Sequence, residues 1–192
     1  FAYGLGNSLS FPMSVGATTI LNPERPTPAS VFATLEKHQP TIFCGVPTLF
    51  AAMLHDPDHA AHKASPRLRL STSAGEALPE HIGKSWKTRF GSDIVDGVGS
   101  TEMLHIFLSN HPADIVYGTS GKPVPGYDAR LADENGVEVA DGDVGELYIR
   151  GPTAADGYWN QREKSRATFQ GEWTRTGDKY TRDADGRYTY CG

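Results

Sequence analysis

The chain has 192 residues, 38% of them hydrophobic and 21% charged, with a formal net charge of -5. This mildly acidic, ordinary globular composition supplies no basic stripe to neutralise phosphates, so nucleic acid is not an expected partner. No apolar run approaches the roughly 20 residues of a membrane span, so no membrane segment is expected, and the length suits one large domain or two small ones.

Phe1 is not an initiator methionine, and FAYGLG lacks the basic stretch of a secretion signal. Residues 17–21 (ATTIL) are a short β-branched run and predict a strand. Asn22 and the prolines 23, 26 and 28 then form a loop, and Thr27 with Pro28 predicts a helix start. Val31, Phe32 and Leu35 share one face of that helix. Residues 41–46 predict a buried strand broken at Pro47, and 48–54 resume helical spacing. Residues 68–72 predict a further strand and 79–90 a helix with Ile82, Trp86 and Phe90 four apart. Ile94-Val95 is the next strand core. Regular alternation of strand and helix implies a mainly parallel sheet with packed helices.

The character changes near 110–120. Beyond it, Gly, Pro and Asp are frequent, and short alternating runs appear at 128–132, 137–139, 146–150 and 187–190. Asp133-Glu134-Asn135-Gly136 and Asp185-Gly186 predict hairpin turns, and a helix is expected at 161–169 with Asn160 as its cap and Glu163 completing a box. The chain is therefore expected to be α/β over 1–115 and antiparallel β, barrel-like, over 116–192. GRYTYCG stops inside a predicted strand, so the chain is expected to be a piece of something longer. Cys44 is expected to be buried and inert, Cys191 is too distant for a metal-ligand spacing, and such sparse cysteine fits a reducing cytoplasm. His55, His59 and His62 have helical spacing, but Pro57 interrupts it, which favours a solvated loop over a metal site.

In an α/β sheet, ligands bind beyond the carboxyl ends of the strands. Three glycine-bearing loops are predicted at strand ends: SAGEALP (73–79), DGVGSTE (96–102) and TRTGD (174–178). Glycine lets the backbone approach a flat or anionic ligand, Ser and Thr offer hydroxyls to phosphate, and Glu or Asp offers oxygen to Mg²⁺ or a ribose diol. The same residues dominate ordinary turns, so each loop alone is open to both readings.

Taken in order, SAGEALP, DGVGSTE, GELYIRGPTAADGYWN (145–160) and WTRTGD resemble the AMP-forming adenylate superfamily of acyl-CoA synthetases, luciferases and peptide-synthetase adenylation domains. FAYGLGNSLSFP, STSAGEALP and DGVGSTEMLHIFLSN resemble its benzoate–CoA ligase branch, in which Val98, preceded by Asp96-Gly97, stands where many members carry an aromatic residue before the glycine. The resemblance implies the large N-terminal domain of an adenylate-forming enzyme. It implies an acid–thiol ligase of aromatic degradation, cytoplasmic and with a homodimer as a compatible assembly, that uses Mg-ATP to convert benzoate or a related aryl carboxylate to an acyl-AMP with release of pyrophosphate. Coenzyme A then accepts the acyl group.

The same resemblance assigns roles. Thr101 contacts the α-phosphate, and Glu102 holds Mg²⁺. Gly75, Glu76, Asp96 and Gly97 frame adenine, and Asp178 accepts from both ribose hydroxyls. Ala2, Tyr3, Gly4, Gly99, His105 and Ile106 form the aryl-acid pocket. Tyr3 and Ile106 flank the ring, and Gly99 leaves room for it. Without such a site, Glu102 and His105 would be an acid and a packed histidine at a helix start, and Asp178 a turn acid. The family's phosphate loop and lid domain are expected outside 1–192, so the fragment alone is expected to be inactive. Two other readings stand beside this one: an adenylation domain that loads a carrier protein, and a folded fragment without catalysis. An unrelated mononucleotide fold is disfavoured, because neither GxxxxGK[ST] nor GxGxxG occurs.

Overall fold

The computed structural model describes residues 2–63 and 65–192. Phe1, which opens the FAYG stretch, lies outside the described residues. Two compact units form: Gly4–Asp96 with His111–Gly118, and residues 2–3 with Gly97–Asn110 and Thr119–Gly192. Composition changes near 110–120, whereas compactness changes at 96/97. Tyr117 shows why 111–118 belongs with the earlier residues: its hydroxyl donates to Asp93 Oδ1 at 2.8 Å, and its ring covers Gly83 so closely that a Cβ there would lie 2.3 Å from it.

The chain starts as Ala2–Leu5 (α1), a π-helical turn over Gly6–Ser10, and Phe11–Ser14 (α2). None of these helical turns has a periodic apolar signal in the sequence. The strand expected at 17–21 does not form; those residues are irregular, with Leu21 71% exposed. A strand needs a ladder partner for its N–H and C=O groups, and 17–21 pair with no strand among the described residues.

Pro28–His38 (α3) starts as expected. Thr27 Oγ1 accepts from Ser30 N at 3.2 Å, and Ser30 Oγ accepts from Thr27 N at 3.0 Å, a reciprocal cap with Pro28 in the first turn. Gln39 ends it in a left-handed conformation, φ 46°, and donates to Leu35 O. Thr27→Ala should lower unfolding stability by about 1 kcal/mol, which equilibrium urea denaturation will measure.

Ile42–Gly45 (β1), Leu70–Ser73 (β2) and the start of Asp93–Gly99 (β3) pair in parallel. Pro47–His55 (α4) and Glu80–Phe90 (α5) join α3 over a core of Phe32, Phe50, Met53, Ile82, Trp86 and Ile94. Trp86 is fully buried and its indole N–H donates to Ser92 Oγ at 3.3 Å. Arg89 near the end of α5 caps α4 by donating to the Met53 and Leu54 carbonyls. β1 is less buried than its apolar run suggests: it is the terminal strand of this ladder, and Ile42 and Cys44 are exposed. The buried Cys44 expected from sequence is therefore corrected. His59 hydrogen-bonds Asp56 at 2.8 Å and stacks on Phe32, with His62 tilted against the same ring. The three histidines make no metal cluster, and none of three or more ligating side chains occurs among the described residues.

In the second unit, the end of β3 pairs antiparallel with Ile106–Ser109 (β4), and β4 with Lys122–Pro123 (β5). Asp128–Ala132 (β6), Gly145–Arg150 (β7), Trp173–Arg182 (β9) and Tyr188–Tyr190 (β10) form an antiparallel sheet in the order β10-β9-β7-β6, with Phe169–Gln170 (β8) on β9. Their inner faces meet in a core that includes Met103, Phe107, Leu108, Leu147, Ile149 and Tyr180. The architecture is the α/β arrangement followed by antiparallel β that the sequence predicts.

Local differences have local causes. Asp133 Oδ1 accepts from the Asn135 and Val137 N–H groups, and only Gly136 of the Asn-Gly pair takes a positive φ. Residues 137–139 contribute a single bridge, Glu138 to Ala132, rather than a strand. Arg162–Thr168 (α6) begins one residue later than expected. Asn160 is left-handed at φ 53°, and Gln161 stands at the cap position with no side-chain cap bond. No helix among the described residues is long and apolar enough to cross a membrane.

Candidate functional site

DGVGSTE is mostly strand, not loop. β3 continues through Gly99 because both of its edges are paired. Up to Asp96 it follows β2 in parallel, and from Gly97 it runs antiparallel to β4, with an irregularity between Val98 and Gly99. The glycines permit that second pairing. A Cβ on Gly97 would lie 2.8 Å from Leu108 O, and one on Gly99 would lie 2.2 Å from His105 O.

The chain then reverses between Ser100 and His105. Ser100 N donates to His105 O at 3.2 Å, Leu104 N to Thr101 O, and His105 N to Met103 O. Leu104 adopts φ 71°, a left-handed conformation that an L residue takes only when its surroundings fix it. The turn feeds β4, not a helix. The reading of Glu102 as a helix-cap acid, and of His105 as a residue on a helix start, is thereby removed.

Glu102 sits half-buried in this turn. The Tyr158 hydroxyl donates to Glu102 Oε1 at 2.6 Å, and Ala155 N donates to the Glu102 carbonyl at 2.7 Å. Burial pushes the carboxyl up. The Tyr158 hydroxyl, the residue's own N–H, Ser100 and the Lys164 ammonium outweigh it and hold Glu102 below the usual carboxylate range. Thr101, next to it, is exposed. The site thus presents an ionised carboxylate beside an exposed threonine.

TRTGD likewise lies inside β9. Glu146 pairs with Lys179 and Tyr148 with Arg175, so Thr176, Gly177 and Asp178 bulge opposite Leu147. Gly177 takes φ 84°, and Thr176 Oγ1 ties the bulge by donating to Leu147 O and accepting from Asp178 N. The half-buried Asp178 carboxylate receives no hydrogen bond among the described residues. Burial, and secondarily the Glu146 charge, raise it above the ordinary aspartate value. Glu146 is held by a two-point pair with Arg175, 2.6 and 2.7 Å. A carboxylate without internal donors has both oxygens available to accept.

Ser100, Glu102, Tyr158, Lys164, Thr176 and Lys179 line one cleft of about 460 Å³ in this unit. Lys164 lies 4.2 Å from the Tyr158 ring centroid. A polar cleft with lysines, hydroxyls, the Glu102 carboxylate and a second acid, Glu146, already paired with Arg175, suits an anionic ligand that brings a divalent cation with it.

Of the residues expected around an aryl acid, Tyr3 and His105 are stacked with ring centroids 5.9 Å apart. His105 Nε2 lies 3.3 Å from the Tyr3 carbonyl, which can only accept, so the pair requires the Nε2–H tautomer. Burial lowers the His105 pKa, against a smaller opposing effect of that carbonyl, and favours neutral imidazole. Gly99 and the half-buried Ala2 and Ile106 belong to the same unit, and exposed Gly4 to the other. Gly75, Glu76 and Asp96 also belong to that other unit. Gly75 and Glu76 are exposed, Gly75 with φ 93°, whereas Asp96 is buried and accepts from Leu78 N at 3.4 Å.

Sequence reasoning missed Tyr158, Lys164 and the Glu146–Arg175 pair. Tyr158 stands in the quoted GYWN, but no spacing rule links it to an acid 56 residues earlier. Only the fold does.

The model of a family described as AMP-binding enzyme matches residues 1–159. The benzoate–CoA ligase of Thauera aromatica is 62% identical over 193 residues, which covers 100% of this chain and 36% of that protein. A benzoate CoA ligase from Burkholderia xenovorans LB400, known from crystal structures, superposes with a TM-score of 0.94 at 59% identity, over 100% of this chain and 39% of that one. An anthranilate CoA ligase solved in complex with anthranoyl-AMP gives 0.97 at 48% identity, over 100% of this chain and 37% of that one. The chain therefore spans little more than a third of the length of each of these relatives.

Proposed function

This chain belongs to the AMP-binding enzyme family, and from that premise we propose that the whole protein is an ATP-dependent ligase for benzoate or a close aryl carboxylate. The observation that carries the substrate class is the 62% identity to a benzoate–CoA ligase along the entire chain. The likeness to an enzyme holding anthranoyl-AMP supports the adenylate intermediate.

A carboxylate is a poor electrophile. In the first half-reaction its oxygen attacks the α-phosphorus of ATP, the bond to the bridging oxygen breaks, and pyrophosphate leaves. In the second, the thiol of coenzyme A loses its proton and adds to the acyl carbon, and AMP leaves. The barrier in the first lies in gathering two anions and stabilising charge on the α-phosphate, which positioning and fixed electrostatics supply. Thr101 donates its hydroxyl to an α-phosphate oxygen. Asp178 accepts from both ribose hydroxyls, and Gly75, Glu76, Asp96 and Gly97 frame the base. Ala2, Tyr3, Gly4, Gly99, His105 and Ile106 hold the ring. His105, neutral by its surroundings, adds no charge to the acid's site.

Magnesium fits this donor set. Glu102 is ionised, and no protein cage competes with it among the described residues. Mg²⁺ ordinarily takes one or two carboxylates together with nucleotide phosphates and water. When bound, it supplies Lewis-acid neutralisation of phosphate charge. ATP and coenzyme A as co-substrates, with two free cysteines, fit a cytoplasmic protein.

The test is acid-dependent exchange of pyrophosphate into ATP by the whole protein. It should be screened over benzoate, the hydroxybenzoates, the aminobenzoates and aliphatic acids of matched size. Benzoate should give the highest kcat/KM. Preference for an aliphatic acid, or no acid-dependent exchange, would refute the reading.

A further inference from the structure

We propose that Tyr158 is a positioning residue for Glu102, fixing the carboxylate that the preceding reading assigns to magnesium; the inference rests on that reading. The segment around Tyr158 is fastened to the Glu102 turn at three separate points. Thr153 Oγ1 donates to Met103 O at 2.6 Å and is itself held by the Tyr127 hydroxyl at 2.6 Å. Ala155 N donates to Glu102 O, and the Tyr158 hydroxyl reaches Glu102 Oε1. Glu102 is thus held by main chain and side chain from one segment about 50 residues later in sequence.

Tyr158 is itself held. Its N–H donates to Ser165 Oγ at 2.8 Å, and Ser165 Oγ donates on to Gln161 O at 2.8 Å, which anchors the tyrosine to the first turn of α6. Its ring lies 5.4 Å from Phe169, centroid to centroid, and beneath the Lys164 ammonium. A free glutamate samples many rotamers and loses that freedom on binding a metal. A short hydrogen bond from a fixed phenol restricts it beforehand, as the partners that orient metal ligands do elsewhere. The phenol, Ser100 and the residue's own N–H draw on about three of the four acceptor positions of a carboxylate, which leaves one for a cation. The phenol supplies orientation without adding charge.

The experiment uses the whole protein and its Tyr158→Phe variant, which keeps the ring and removes only the donor. Affinity for Mn²⁺·ATP is read by water-proton relaxation, and pyrophosphate exchange is followed against magnesium concentration. Tyr158→Phe should weaken Mn²⁺·ATP about 10-fold and raise the magnesium needed for half-maximal exchange, with KM for benzoate unmoved. Thr27→Ala, a stability lesion in the other unit, should leave Mn²⁺·ATP affinity at the parent value. Glu102→Gln should weaken Mn²⁺·ATP binding, and adding Tyr158→Phe to it should weaken binding no further. Parent-like affinity in Tyr158→Phe, or equal weakening in Thr27→Ala, overturns the proposal. If Glu102→Gln itself binds Mn²⁺·ATP like the parent, the assignment of Glu102 fails first. If it binds weakly while Tyr158→Phe binds normally, only the role of Tyr158 is lost.

Discussion

Glu102→Gln in the whole protein should slow acid-dependent pyrophosphate exchange by about 100-fold or more, the range seen when one fixed electrostatic partner of a transition state is removed. The substitution keeps size and shape. Glutamine Oε1 still accepts from the Tyr158 hydroxyl, and the main-chain bond from Ala155 does not involve the side chain. What disappears is the negative charge that the Tyr158, Ser100 and Lys164 contacts stabilise against burial. An amide oxygen is a weaker ligand for a hard cation than a carboxylate. The loss should fall on kcat and on the magnesium requirement, while the thermal unfolding midpoint stays near that of the parent. Exchange within a factor of three of the parent at saturating magnesium would show that Glu102 is only a turn residue.

Gly99→Ala should cost about 3 kcal/mol or more of stability, at the upper end for overfilled positions, and take activity with it. The added Cβ would stand 2.2 Å from His105 O, 2.6 Å from His105 C and 2.7 Å from Ile106 Cα. All three are backbone atoms, so no rotamer change relieves the clash. β3 and β4 must separate, and the turn that carries Thr101 and Glu102 hangs from that pair of strands. Gly75→Ala is the informative comparison. Nothing lies within 4 Å of its Cβ, and only φ 93° opposes it, so its cost should be about 1–2 kcal/mol. The sequence suggested another role for Gly99, clearance for an aromatic ring. That role predicts a folded variant of ordinary stability that prefers smaller acids. Urea denaturation of Gly99→Ala beside its acid preference decides between the two.

The broad architecture was legible because it is written in local periodicity. Val31, Phe32 and Leu35 recur on one helical face and are buried. Thr27-Pro28 caps a helix by contacts within four residues. Strand and helix alternate before the composition changes, and the β runs at 128–132 and 146–150 pair as antiparallel neighbours. The family too was legible, because its motifs are short, contiguous and ordered along the chain. The errors occur where a segment's state depends on a distant partner. Residues 17–21 have strand propensity but no ladder. Both DGVGSTE and TRTGD have loop composition yet lie largely in strands, because β4 and β7 supply partners that glycine lets approach.

The sequence by itself therefore determined the α/β and β-rich composition of the chain, the Thr27 cap of α3, its family and the identity of Glu102 and Asp178 as the acids worth testing. Those properties depend on residue type and on spacing within a few positions. Tertiary structure alone decided that Glu102 lies in a turn before a strand rather than on a helix, and that Asp178 sits in a bulge without internal donors. It also decided that Gly99 faces a carbonyl and that Tyr158 reaches Glu102. Each of these is a meeting of atoms brought together by strand pairing and loop packing, often far apart in sequence. Where the side chains at both ends are ordinary, no local pattern encodes such a meeting.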